Sequence, residues 1–544
     1  MRTLQIAATA LAFVLVLVLA GVFVTPVRTV IAEVLGDETS NNIVALFSTV
    51  TARPTDTRDI VALPHTGTSP YGINVFLQQE VEERKVRRTL EMVKEAGFHW
   101  VKQQVLWSEI EVPAKGQHWD EKFQKSTWEK YDRIVDIARE YGLELILRLD
   151  TSPQWTRPDS DKIETPPDNY DDYGDFVYTV VSRYRGKVKH YQVWNEPNIA
   201  YEWGEKPVNA ADYVRLLQTA YRRAKQADPD SAIIIAALAP TIERSPQAVN
   251  DLVFIQQMYD AGAKAYFDIM SANPYGLRSG PDDRRLNGDE EVNFSRPVLV
   301  RELMVRNDDA GKPIWASELG WNVLPRDFPE KPVFGRVSRE LQAKYTVRAY
   351  QRAQEEWPWM GVMNLWHFRM VNEADKQRQS YYFNVVDEDS RPYPVYDAMK
   401  AFANRPAVLP YGLHQESHWA LHYFGTWVQE KDERAVLGAY VRSDGPATSL
   451  EFTFVGTDLE LVAPVGPELG RASVRIDGKP SQWVQTDEEG HTYTNQRQDE
   501  PRFQVRFTLA SGLQYGPHTV EVRPIEGSIA VDALIVNNRS KVFR

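Results

Sequence analysis

Two glutamates stand where their types and neighbours could do chemistry. Glu196 lies in Trp194-Asn195-Glu196-Pro197-Asn198 and Glu318 in Trp315-Ala316-Ser317-Glu318-Leu319-Gly320-Trp321. Each ends a short apolar run and has aromatic neighbours. A pair of carboxylates flanking one oxygen is what hydrolysis of a glycosidic bond requires. One protonates the leaving oxygen, while the other attacks the anomeric carbon or activates water. Apolar and aromatic walls desolvate one carboxyl, raise its pKa and keep it protonated. Taken singly the motifs say less: Asn-Glu-Pro is a common turn or helix-start signal, and a lone Glu318 could be a surface ion-pair partner. Their placement relative to the fold decides.

The elements that must hold them alternate. Short β-type runs at 71–76, 100–106, 143–149, 190–194, 232–237, 268–272, 313–317 and 362–366 are separated by stretches of helical spacing. Eight β-α units over residues 71–404 predict a (β/α)8 barrel with enlarged loops, in a catalytic domain spanning 66–406. A doubly wound open sheet would want a glycine-rich turn after its first strand, and 71–79 has none. Barrel enzymes carry their chemistry at the C-terminal ends of the strands. Glu196 closes the fourth strand and Glu318 the seventh.

On these residues the chain resembles clan A glycoside hydrolases, whose catalytic glutamates stand on strands four and seven. Residues 98–155 also resemble glycoside hydrolase family 39, through Trp107, Glu109-Ile110-Glu111, Gly116, Trp119, Tyr131-Asp132, Gly142-Leu143 and Ser152-Pro153-Gln154-Trp155. The resemblance implies a retaining mechanism with Glu196 as acid/base and Glu318 as nucleophile. It implies that Asn195 bonds the sugar 2-hydroxyl, that Tyr275 in Asn273-Pro274-Tyr275 orients the nucleophile, and that Trp366 is the sugar platform. Trp107 and Lys102 complete the expected substrate-binding set. Trp366 could equally be core, and Trp107 and Trp155 packing at the barrel rim. Lys102 departs from the family, whose members usually carry arginine on strand two; a lysine offers a point charge and not a fork. His367 reads as a structural histidine. No cofactor and no catalytic metal are expected, since no His-x-x-x-His or aspartate triad occurs.

Composition narrows the field. Among 544 residues there are 63 Lys+Arg against 75 Asp+Glu, a net charge of −12, which argues against nucleic acid as a partner. No cysteine is present, which excludes disulfides, thiolate metal sites and cysteine nucleophiles. Fifteen tryptophans and 25 tyrosines suit the stacking of sugars, so the expected partner is a polysaccharide or oligosaccharide. The loops 151–169, 274–296, 319–338 and 367–394 are long, and long ordered loops are usually functional. They carry Arg157, Arg278, Arg284, Arg285, Arg326, Arg336, Arg369 and Arg378. Ion pairs with Asp282, Asp283, Asp327 and Glu373 are the simpler role for these arginines; reception of acidic groups on a polysaccharide is the functional one.

Residues 6–24 are 19 uncharged, nearly all apolar residues, long enough for a transmembrane helix. Residues 1–28 are therefore expected to anchor the protein to the cell membrane, with a linker at 29–65 and an extracytoplasmic body; secretion after signal-peptide cleavage is the other reading. After residue 406 the period changes to two, and seven short strands predict a β-sandwich over 407–544 resembling galactose-binding-like jelly rolls. Exo-action on oligosaccharides, and glycan binding without hydrolysis, are the competing functions.

Overall fold

Alternation of apolar residues drives the central sheet. In the computed structural model, which describes residues 37–51, 53–287, 291–488 and 490–539, eight parallel strands form: β1 (Tyr71–Val75), β2 (Trp100–Leu106), β3 (Glu144–Asp150), β4 (His190–Val193), β5 (Ala232–Ile234), β6 (Met270–Ala272), β7 (Ile314–Leu319) and β8 (Met360–Leu365). Their order around the sheet is 5-4-3-2-1-8-7-6. A parallel bridge between Ile234 and Ile269 joins the two ends, and Ile235 N donates to Ile269 O at 3.1 Å. The predicted barrel is therefore present, with its seam between β5 and β6.

The outward residues of each strand meet the helices. Leu145, Leu147 and Leu149 of β3 join the main core, packed with α2 (Glu83–Glu95), α3 (Glu129–Glu140) and α4 (Tyr170–Tyr184). Further round the ring lie α5 (Ala210–Ala227), α6 (Asp251–Asp260), α7 (Arg296–Arg306), α8 (Arg339–Glu356) and α9 (Pro394–Ala403). Helices α5 and α6 begin at Asn209 and Asn250, whose side chains accept from the first free backbone amides. The inward residues plug the floor of the barrel: Trp100, Ile146, Ala232, Ile234, Trp315 and Val362 form one apolar layer. His190 stacks on Trp315 there, with ring centroids 4.8 Å apart. Lys102, Arg148, Gln192 and Ser317 lie on the same inward faces, two positions further toward the mouth.

Residues 412–537 form the β-sandwich. One sheet pairs Gly412–Gln415, Ala533–Asn537, Asp458–Val465 and Arg502–Ala510. The other is built on Ser449–Gly456, Gly516–Glu526 and Arg471–Ile476. Leu450, Phe454, Leu461, Val474 and Leu534 fill the space between them. The sandwich docks on the floor of the barrel: Trp419 N donates to Gly67 O at 2.8 Å, and the Trp419 ring packs against Tyr71 and His99. The sandwich therefore sits at the end opposite the strand termini that carry the glutamates.

The expected anchor at residues 1–28 lies outside the described residues. Among the described residues no helix is long and apolar enough to cross a membrane. Part of the stretch read as linker is helical, α1 (Asp37–Val50). The stretch is tied to the barrel flank by the Ser48 hydroxyl, which accepts from Arg284 N at 3.0 Å, and by a bidentate Arg53–Glu302 pair at 2.7 and 2.6 Å.

Candidate active site

Two local irregularities aim the glutamates into the mouth. After β4 a regular strand would alternate Trp194, Asn195 and Glu196 between inside and outside. Instead Trp194 takes φ +69° and Glu196 φ +35°, at a cost on the order of 1–3 kcal/mol for each non-glycine residue so placed. The Trp194 indole turns into the outer core, where it donates to Glu202 O at 3.0 Å and packs edge-on against Tyr173 and Trp203. Asn195 and Glu196 then both face the mouth. On β7, Ala316 pairs with Met363 and Leu319 with Leu365, so three steps on β7 face two on β8. This bulge puts Ser317 and Glu318 on the inner side together while Leu319 remains in the outer core.

Glu318 is 5% exposed. Its Oε2 accepts from the Tyr275 hydroxyl at 2.7 Å. Its Oε1 lies 3.7 Å from both Lys102 Nζ and Arg148 Nη1. Glu196 is half-buried, and its Oε1 accepts from Asn273 Nδ2 at 2.7 Å. Burial, then the Glu318 charge and then the Glu202 charge, push the Glu196 carboxyl well above the usual carboxylate range. The two glutamates thus sit in opposite settings, one faced by two cations and a phenol, the other by an amide donor and two like charges.

The supporting polar layer is continuous. Arg148 reaches Asp150 through Nε at 2.7 Å and donates from Nη1 to Asn195 Oδ1 at 3.1 Å. Gln104 Nε2 donates to both Asp150 oxygens at 2.8 and 3.0 Å. Lys102 donates to the Ser317 hydroxyl, which donates in turn to Gln192 Oε1 at 3.0 Å. Burial lowers the Lys102 pKa to about 8. Glu202 accepts from Asn195, and burial raises its carboxyl to about 7. Among the described residues no cluster of three or more histidine, aspartate or glutamate side chains is arranged to hold a metal ion.

Of the residues singled out in the sequence, Glu196, Glu318, Asn195, Tyr275 and Lys102 converge. Trp366 is half-exposed at the end of β8, edge-on to Phe76 with centroids 5.5 Å apart, and keeps a face toward the mouth side of that strand. Trp107 does not belong to the site. It has no exposed surface, stacks on Phe176 with centroids 5.3 Å apart, and donates to Glu111 Oε2 at 2.7 Å. The large apolar ring is used as core between β2 and α4, so no face is left for a sugar. Lys102 is 3% exposed and directs its ammonium at Glu318 and the Ser317 hydroxyl. His367 is buried with Nε2 3.1 Å from the Ser380 carbonyl, and burial lowers its pKa to about 4, as a structural histidine requires.

Arg148, Asp150, Asn273 and Glu202 were not singled out in the sequence. Arg148 and Asp150 carried a signal: Leu145-Ile146-Leu147-Arg148-Leu149-Asp150 sets charges at every second position of an apolar strand, which in a barrel means an interior face. Asn273 could have been found two residues before Tyr275. Glu202, on a short turn at Ala200–Trp203, had no local signal. A cavity of about 720 Å³ lies elsewhere, between Arg53–Ile60, α8 and the sandwich.

With this geometry in hand, the comparisons with known proteins take on meaning. The family model for cellulase (glycosyl hydrolase family 5) matches residues 64–257, the span from the approach to β1 into α6, which includes the strand that leads to Glu196. The chain is 25% identical over 265 residues to endo-1,4-beta-xylanase C of Paenibacillus barcinonensis, a match covering 44% of this chain and 22% of the xylanase's own length. Among solved structures it is similar to a family 39 glycoside hydrolase from Bacteroides cellulosilyticus WH2 (16% identity, 87% of this chain and 83% of that one, TM-score 0.48). It is also similar to a monomeric beta-xylosidase from Caulobacter crescentus CB15 (15% identity, 87% and 99%, TM-score 0.44). The resemblance to clan A glycoside hydrolases therefore rests on a family match over the half of the barrel that carries Glu196 as well as on the motifs themselves.

Proposed function

We propose that the protein is a retaining glycosidase acting on an extracellular or cell-surface polysaccharide, with Glu196 as acid/base and Glu318 as nucleophile. One observation carries the reading. Two carboxylates share a barrel mouth, yet Glu318 faces two cations and a tyrosine hydroxyl while burial and the Glu318 charge push the Glu196 carboxyl up. That division supplies an acid and a nucleophile at the same pH. Glu196 gives its proton to the leaving oxygen as a Glu318 oxygen bonds the anomeric carbon and the glycosidic bond breaks. The ionised Glu196 then takes a proton from water, whose oxygen displaces Glu318 and restores both carboxyls. Tyr275 holds the Glu318 carboxylate in place, and Arg148 fixes the Asn195 amide, leaving its NH2 to Glu202 and to a sugar hydroxyl. An apolar run at residues 6–24 supports an extracytoplasmic setting.

The test is cleavage of β-linked polysaccharides by the wild type beside Glu318→Gln and Glu196→Gln. Retained anomeric configuration and losses of several orders of magnitude in both variants are the expected result. Glycan binding that is equal in all three proteins, with no cleavage, overturns the proposal.

A further inference from the structure

The structure sorts the eight arginines singled out on the long loops around the mouth. Arg157 donates to Ser152 O and Gln154 Oε1. Arg284 pairs with Glu356, Arg285 with Asp283 and Glu291, and Arg369 with Glu80. These four tie the loops down, as the simpler reading of the sequence has it. Arg378 is exposed and lies 3.7 Å from Asp375. Arg278, Arg326 and Arg336 are different: none has an acidic partner or a side-chain hydrogen bond among the described residues. The Arg336 Nε is buried without an acceptor. The Nε atoms of Arg133, Arg223 and Arg369 are buried in the same way, so what sets Arg278 and Arg336 apart is their position.

These two arginines are brought together by backbone. Gly335, at φ +71°, lies so close to the loop after β6 that a Cβ there would stand 2.2 Å from the Leu277 carbonyl oxygen and 3.2 Å from Arg278 N. Only glycine permits this approach, and it sets residue 336 beside residue 278. The same stretch places the Phe334 ring 6.0 Å from Tyr275, which bonds the Glu318 carboxylate. Residues 278 and 336 therefore belong to the two stretches that carry the aromatic wall behind Glu318, on a chain whose net charge of −12 would otherwise repel a polyanion.

We propose that Arg278 and Arg336 form an anion-receiving subsite beside Glu318, so that the substrate is a polysaccharide bearing uronate carboxylates or sulfates. This rests on the glycosidase reading above. An incoming anionic group completes the Arg336 Nε hydrogen bond, and a guanidinium fork matches a carboxylate or sulfate in two places at once.

The experiment uses the full chain with glucuronoxylan, hyaluronan and chondroitin sulfate, each beside its carboxyl-reduced or desulfated counterpart. Binding is followed by affinity electrophoresis and cleavage by product mass. The wild type is expected to bind the anionic form of at least one pair about three- to tenfold more tightly, the scale of two partly exposed charge contacts. The Arg278→Gln/Arg336→Gln double variant is expected to lose that preference with an unchanged melting temperature, while Arg326→Gln keeps it. Selective loss with carboxyl reduction identifies uronate; loss with desulfation identifies sulfate. Equal binding of anionic and neutral forms across the panel, or a preference that survives in the double variant, overturns the subsite. Cleavage of neutral glycans without anionic preference overturns the subsite alone. Anionic preference without cleavage of any glycan overturns the glycosidase reading and leaves the subsite standing.

Discussion

Asn273 and Glu202 act on the Glu196 carboxyl with opposite signs. Asn273 donates a 2.7 Å hydrogen bond to Glu196 Oε1 and so favours its ionised form. Glu202 places a like charge nearby and disfavours that form. Removing each should therefore move the Glu196 titration in opposite directions. A hydrogen bond to a charged group contributes roughly 1.5–3 kcal/mol, and a pKa unit is about 1.4 kcal/mol. Glu196 is half-exposed, so water replaces part of the lost contact and the lower end applies. Asn273→Ala should raise the pKa by about one unit. Glu202→Gln keeps an acceptor for Asn195 while removing the charge; in a polar, partly solvated cleft the loss of such a like charge is worth about half to one unit downward.

The assay is kcat/KM between about pH 4 and 9 on an aryl glycoside with a poor leaving group, which makes protonation by Glu196 rate-determining. The basic limb reports the group that must stay protonated. It should move to higher pH in Asn273→Ala and to lower pH in Glu202→Gln, and neither shift should appear on a substrate whose leaving group needs no proton. Movement of both limbs in the same direction, or a downward move for Asn273→Ala, would refute the assignment of Glu196 as the acid.

Two other consequences are open to direct measurement. Tyr275→Phe deletes the hydroxyl that bonds Glu318 Oε2 and leaves a buried carboxylate oxygen short of a donor. A fall in kcat/KM of about ten- to a hundredfold is expected from a charge-assisted hydrogen bond, and an unchanged rate would remove Tyr275 from the machinery. Burial among Trp100 and Trp315 lowers the His190 pKa to about 3. The folded value is below the unfolded one, so this histidine's contribution is fully present above about pH 6.5 and is lost as pH falls toward 3. His190→Phe should reduce the drop in melting temperature between pH 7 and pH 4, and an identical drop would refute the account.

The barrel was legible because burial on one or both faces writes itself into the pattern. All eight runs expected from apolar spacing are strands, and their order is that of sequential β-α units closed on themselves. The sandwich was legible where strands are long. Its short polar strands, Trp427–Lys431 and Thr492–Asn495 among them, were not, since they bury too little to show a period. The end of the sandwich is broken at Asp532 into Ala530–Val531 and Ala533–Asn537, because the Asp532 carboxylate turns inward to accept from Val436 N at 2.9 Å. Trp107 shows the opposite limit. An aromatic residue near a barrel mouth has the same letter whether it stacks on a sugar or on Phe176, and only the packing distinguishes them.

The site itself was half legible, and the boundary falls at the strand ends. Period-two alternation assigns Arg148 and Asp150 to the interior correctly, because β3 is regular to its last residue. It fails for Asn195-Glu196 and Ser317-Glu318, where consecutive residues both face inward. A strict alternation would have sent one of each pair to the helix layer. Left-handed φ values at Trp194 and Glu196 and the extra residue in β7 break the period at the two places where the chemistry sits. The cost of these irregularities is met by anchors on the outer side: the Trp194 indole bonded to Glu202 O, and Leu319 packed in the main core. The tryptophan and leucine beside each glutamate therefore act as levers. Their burial outside the barrel fixes the twist that presents two adjacent polar residues inside it. This explains why each glutamate sits in a run of large apolar residues without those residues touching the substrate.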